Sequence, residues 1–123
     1  MTGLRKERVS DLIQEEVARL LQTSMHDLRL KLVTVTGVSM TNDLRHARIY
    51  VSMLAEGAER DDTMAELDAA RGFIRRRLSQ ALNLRYTPEL TFTYDTSIEQ
   101  GARIERLLDE VQAPSSDDGS RED

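Results

Sequence analysis

The stretch from Leu67 to Pro88, LDAARGFIRRRLSQALNLRYTP, constrains the fold more than any other part of the chain. Two apolar stripes of helical spacing meet at Gly72. Met64, Leu67 and Ala70 precede it, and Phe73, Ile74, Leu78, Ala81 and Leu82 follow it. Pro88 then closes the helical pattern and introduces an alternating run, Glu89 to Asp95. Leu90, Phe92 and Tyr94 share one face of that run, and Thr91 and Thr93 the other. A helix pair that delivers a strand requires a sheet for the strand to join.

That sheet is expected earlier in the chain. Leu32 to Met40 is β-branched and alternating, and Gly37 within it predicts a bulge or a close backbone approach. Arg45 to Leu54 alternates too, with Ala47, Ile49, Val51 and Met53 on one side and His46, Arg48, Tyr50 and Ser52 on the other. The short Thr41-Asn42-Asp43 link predicts an antiparallel hairpin. Two strands alone are marginal, so the third must join them. Before the hairpin, residues 4–22 carry a helical stripe of Val9, Leu12, Ile13, Val17, Leu20 and Leu21. After it, Glu56 to Asp62 reads as a polar loop, with Asp61 or Asp62 capping the next helix. A last helix is expected from Ser97, where SIEQ matches a capping box, with Ile104, Leu107, Leu108 and Val111 as its stripe. The expectation is an α+β domain over residues 1–112, one three-stranded sheet covered by helices, and a disordered acidic tail over 113–123.

Several function classes lose support at once. Cysteine is absent, which removes disulfides, thiolate metal sites and thiol nucleophiles. His26 and His46 are too few and too isolated for a metal or catalytic centre. Asp61, Asp62 and Glu66 are better explained by a solvated loop and a cap than by a cation site. No nucleophile–base arrangement or glycine-rich phosphate loop is visible, so no enzyme, metal or cofactor is expected. No apolar run approaches a membrane span, and MTGLRKERVSDLIQ lacks the apolar core of a signal peptide, so a cytoplasmic protein is expected. No long uncovered apolar stripe demands a dimer, and a monomer is expected.

The formal net charge of −5 misleads unless it is divided. Residues 109–123 hold six of the 22 acids and one of the 17 bases, so residues 1–108 carry 16 of each. A neutral body still permits a one-sided basic face. Arg71, Arg75, Arg76, Arg77 and Arg85 lie in a stretch with no acid before Pro88. Glycine at position 72 permits a sharp bend between the helices, which would leave N–H groups of the second helix open to a phosphate. Arg71 and Arg75 would flank that phosphate, with Arg76 adjacent. Arg77 borders the apolar stripe, where covering the core with its stem and contacting RNA are both open. Arg45 and Arg48 on the hairpin would extend the basic face, and Arg85 stands in the following loop. Arg5, Lys6 and Arg8 open the first helix, where the helix dipole disfavours cations, either as a solvated end or as a basic prong. Tyr50, Tyr86 and Tyr94 suit base stacking or packing at the core's edge.

The element order resembles a type II K-homology domain, a single-strand nucleic-acid module. No GxxG occurs anywhere, and Ala70-Arg71-Gly72 stands at the place where that loop is usual. This Ala-x-Gly kink, with RxxRV at Arg5 to Val9, VTVTGV at Val33 to Val38 and DLRHARIYVS at Asp43 to Ser52, resembles the ribosome-binding factor A family. LRYTPELTFTYD at Leu84 to Asp95 and SIEQGARIERLL at Ser97 to Leu108 match as well. The resemblance spans roughly residues 3–111. It implies a non-enzymatic assembly factor that binds the free 30S subunit through 16S ribosomal RNA. It further implies support for late maturation, for 16S 5′-end processing and for growth in the cold. The alternative is a protein–protein interaction module using the sheet face or the acidic tail. A helix-turn-helix DNA reader is disfavoured by strands on both sides of the helix pair.

Overall fold

A computed structural model describes residues 2–97, and the side chains of 5–97. The elements are α1 (Thr2–Thr23), α2 (Leu28–Lys31), β1 (Thr34–Met40), β2 (His46–Ser52), α3 (Gly57–Ala69), α4 (Arg71–Ala81) and β3 (Glu89–Tyr94). Apart from the four-residue α2, this is the order of a type II K-homology-like α+β domain. The expected helix from Ser97 and the tail over 113–123 lie outside the described residues.

The sheet order is β1-β2-β3. β1 pairs antiparallel with β2, as the short turn requires, and β3 adds parallel to β2. A parallel neighbour needs a crossover, which the α3–α4 pair supplies. The register along β1 slips between Val35 and Gly37, leaving Thr36 as the extra residue of a bulge. The Thr36 hydroxyl donates to Asp95 Oδ2 at 2.6 Å, and Asp95 Oδ1 accepts from the Ser97 N–H at 2.9 Å. These bonds, the Thr36 one foremost, hold the Asp95 carboxyl below its ordinary range.

The alternation of β2 sends Ala47, Ile49 and Val51 into the core, where they meet Val35 and Met40 of β1 and Leu90 and Phe92 of β3. Ile13, Val17, Leu20 and Leu21 of α1 are fully buried, as are Leu67, Ile74 and Leu78 of the helix pair. Burying each such side chain contributes about 1.5–3 kcal/mol.

Four local expectations need correction. The segment read as a polar loop is helix: α3 begins at Gly57, whose φ of 60° is left-handed backbone open to glycine. Asp61 and Asp62 are therefore within α3 rather than caps, and Glu56 at the N-cap makes no side-chain cap bond. Leu12 and Ala81, assigned to apolar stripes, are exposed. The helix break is at Ala70 and not at Gly72. Ala70 has φ −86° and ψ −2°, which any residue adopts, and Gly72 sits inside α4. Helix α2 escaped the periodicity argument because four residues carry none. Asp27 starts it by accepting from the Arg29 N–H at 2.9 Å.

Candidate nucleic-acid interface

Three chain segments converge on Tyr86. The first is the start of α1, where Arg5, Arg8, Val9 and Leu12 follow helical spacing along one face. The second is the hairpin turn. There Asp43 Oδ1 accepts from the Thr41 hydroxyl at 2.7 Å and from the Arg45 N–H at 3.0 Å. These bonds depress the Asp43 pKa, the Thr41 one most, so the carboxylate is ionised. The third is the loop from Asn83 to Pro88, which carries the chain from α4 to β3. Lys6 ties the first segment to the second, its Nζ donating to Asn42 Oδ1 at 3.0 Å.

Tyr86 is 49% exposed. The Arg45 guanidinium carbon lies 4.4 Å from its ring centroid and that of Arg85 lies 5.6 Å away. Guanidinium groups over an exposed ring form a cation–π stack, and a planar guanidinium held this way can itself stack on a base or meet a phosphate.

Three adjoining clefts share this ring. One, of about 690 Å³, lies between α1, the hairpin turn and the loop, and is bounded by Arg5, Arg8 and Arg85. A second, of about 460 Å³, runs along α4 past Gly72, Arg76 and Ser79 to Arg85. A third, of about 260 Å³, reaches Arg45, His46 and Glu89. Together they make one basic channel from the N-terminal end of α1 to that of α4.

The structure thus brings Arg5, Arg8, Arg45, Arg76 and Arg85 around one ring. It gives the other sequence candidates different positions. Arg75 Nε donates to the Pro88 carbonyl at 2.9 Å and Nη2 to the Thr87 carbonyl at 2.7 Å, with Glu89 Oε2 3.7 Å away. Two of its five N–H donors fasten the loop to α4 and fix the guanidinium in place, so it shapes the channel wall. Arg77 is half-buried with its guanidinium carbon 5.5 Å from the Phe73 ring, which favours a cover over the apolar stripe. Arg48 stands on the outer sheet face, its Nη1 donating to Thr93 Oγ1 at 3.2 Å, away from the channel. Arg71 is exposed at the first position of α4 and lines none of the three clefts.

Gly72 also changes role. A Cβ built there would meet Arg76 Nη1 at 3.7 Å, an ordinary contact, so neither backbone angle nor crowding demands glycine. Its bare surface widens the second cleft. The N–H of Ile74 donates to Ala70 O at 2.9 Å, the first bond of α4, so the N–H groups of 71–73 have no acceptor within that helix. Tyr86 was the residue that sequence reasoning undervalued. Its neighbour Arg85 was the available signal, but Arg45 is 41 residues away and gave none.

Among the described residues no group of His, Asp and Glu is placed to hold a metal ion, and no helix is long and apolar enough to cross a membrane.

Comparison with known proteins bears on the same segments. The family model described as ribosome-binding factor A matches residues 5–108. The ribosome-binding factor A of Heliobacterium modesticaldum is 46% identical over 112 residues, covering 91% of this chain and 93% of that protein. The crystal structure of ribosome-binding factor A from Thermus thermophilus superposes with a TM-score of 0.65 at 24% identity, covering 72% of this chain and 94% of the other. Coordinates of the Thermus thermophilus factor fitted as a homology model into a cryo-electron microscopy map of its 30S complex superpose at 0.60. Their identity is 23%, with 71% of this chain and 91% of that chain covered.

Proposed function

The chain belongs to the ribosome-binding factor A family, and we propose that it binds the free 30S subunit by seating 16S ribosomal RNA in the basic channel around Tyr86. The observation that carries this reading is that Arg5 and Arg8 of α1, Arg45 of the hairpin turn, Arg76 of α4 and Arg85 of the loop line clefts that share one exposed ring. Guanidinium groups supply bidentate phosphate contacts, and the ring supplies a sequence-tolerant stacking face. The open N–H groups at the start of α4 add positive potential beside Arg71 and Arg76. Arg75 positions the loop, and Lys6 positions the turn. Arg48 and Arg77 contribute at most to the surrounding field.

The domain acts by binding and not by catalysis. It supports late maturation of the subunit and 16S 5′-end processing by holding an RNA conformation, and it matters most in the cold, where misfolded RNA is slow to rearrange. Residues 1–112 form the binding unit and 113–123 an acidic appendage.

Sedimentation of lysate through sucrose at low and high salt tests this. The wild-type chain is expected with free small subunits at low salt and at the top of the gradient at high salt. Arg76→Glu with Arg85→Glu changes two exposed side chains and is expected to abolish co-migration while the thermal midpoint holds. Retained co-migration of that variant sinks the channel as the binding surface. Association that survives nuclease treatment would instead favour the protein-interaction reading through the sheet face or tail.

A further inference from the structure

The largest of these three clefts is not uniformly basic. Its floor is apolar, made by Val9 and Leu12 of α1, Leu44 of the hairpin turn and Leu84 of the loop. Leu12 is 40% exposed, a poor position for a leucine if it served only the core. Leu44 has φ 62°, the one non-glycine residue in the left-handed region among those described. A leucine there costs about 1–2 kcal/mol over an ordinary conformation. The turn accepts that cost and sets a leucine, not a glycine or asparagine, at the cleft wall. Strain of this kind concentrates at ligand sites. Charge around the floor is divided. Arg5 and Arg8 line it from α1, Arg85 from the loop, and Asp43 from the turn beside Asn42, whose amide oxygen accepts from Lys6 Nζ at 3.0 Å. Duplex backbone offers phosphates alone and has no use for an apolar floor or a carboxylate.

We infer that this cleft takes a single unpaired nucleotide of the bound RNA. Its base lies on Leu12, Leu44 and Leu84 with its amino edge toward Asp43, and its phosphates lie against Arg5, Arg8 and Arg85. A carboxylate accepts from an exocyclic amine, so cytosine, adenine or guanine fits the Asp43 side better than uracil, which has none. At about 690 Å³ the cleft falls within the roughly 300–1,000 Å³ typical of small-ligand sites. This rests on the RNA-binding reading above and adds what part of the RNA is recognised. An extruded base loses its stacking, and the apolar floor with Tyr86 beside it replaces that contact.

The test uses the full chain with two RNA hairpins, one perfectly paired and one bearing a single bulged 2-aminopurine. The bulged RNA is expected to bind at least tenfold more tightly, with a change in 2-aminopurine fluorescence. Leu12→Asp alters an exposed position, and its fold is checked by circular dichroism. It should bring the two affinities within twofold and leave the fluorescence unmoved. Equal binding of both RNAs by the wild-type chain overturns the nucleotide site and leaves the channel standing. A preference that persists in Leu12→Asp also overturns it, because the base then sits elsewhere. Failure to bind either RNA overturns the RNA reading underneath.

Discussion

Arg75→Met separates two arginines that are neighbours in sequence and differ in work. Methionine keeps most of the aliphatic stem and removes only the guanidinium. Lost with it are the bonds to Pro88 O at 2.9 Å and Thr87 O at 2.7 Å, and the 3.7 Å approach to Glu89. A hydrogen bond from a charged donor contributes about 1.5–3 kcal/mol when well shielded. The Arg75 side chain is 41% exposed, so water recovers part of each carbonyl, and the low end of that range applies. The Glu89 pair, with both partners open to solvent, adds about 0–1 kcal/mol. The sum is about 3–4 kcal/mol, which for a domain of this size lowers the thermal midpoint by roughly 12–16 °C. Urea unfolding gives the free energy directly. Arg76→Met, which removes an exposed side chain, should stay within about 0.5 kcal/mol of the parent. An Arg75→Met loss below about 0.5 kcal/mol would refute the argument that this guanidinium fastens the loop to α4.

Gly72→Ala should raise stability by about 0.5–1 kcal/mol, because the position is helical and the added Cβ meets only Arg76 Nη1 at an ordinary 3.7 Å; a lower urea midpoint would show that α4 needs glycine there. Asp95→Asn should flatten the acid limb of the stability curve. The Asp95 pKa is depressed in the fold, so its contribution is present above the unfolded value near pH 4 and disappears as pH falls through the folded one. Urea midpoints measured from pH 6 to pH 3 should therefore fall less steeply in the variant, and parallel curves would remove Asp95 as a clamp on the β1 bulge.

The hairpin, the bulge at Gly37 and the third strand were legible because alternation and turn chemistry are local. So was the stripe of α1, whose buried members recur at three and four. The start of α3 was hidden because EGAERDD carries no apolar residue beyond Ala58, and the first buried residue of the helix is Thr63. Gly72 drew the bend to itself because glycine permits it, but Ala70 bends within ordinary backbone space and needs no permission. The arginine cluster was visible as composition, yet its division into Arg75, whose Nε and Nη2 bond carbonyls of the loop, and Arg76, which is exposed, depends on the path of Thr87 and Pro88. No spacing rule reports that path. The convergence of Arg5, Arg45 and Arg85 on Tyr86 is likewise tertiary, since each comes from a different segment.

A neutral body binds an anion only if the fold sorts its charges, and the helix pair does so across one bend. Helix α3 carries Glu59, Asp61, Asp62, Glu66 and Asp68 against Arg60, whereas α4 carries Arg71, Arg75, Arg76 and Arg77 and no acid. Helix α2 turns one of its two cations toward the acidic side, with Arg29 Nη2 2.7 Å from Asp27 and 3.6 Å from Glu66. The cations that line the channel are Arg5, Arg8, Arg45, Arg76 and Arg85, and this set bounds the salt response of the proposed site. Each neutralised phosphate releases counterions, so four or five contacts predict a slope of log affinity against log salt of about −3 to −4.5. Filter binding of a 16S fragment between 50 and 300 mM salt measures it. Arg76→Ala should make that slope shallower by about one, and Arg75→Ala should leave it unchanged while weakening the fold. A slope near zero would mean that the guanidinium groups do not meet phosphate. Equal effects of Arg75 and Arg76 would mean that the loop releases Arg75 when RNA binds.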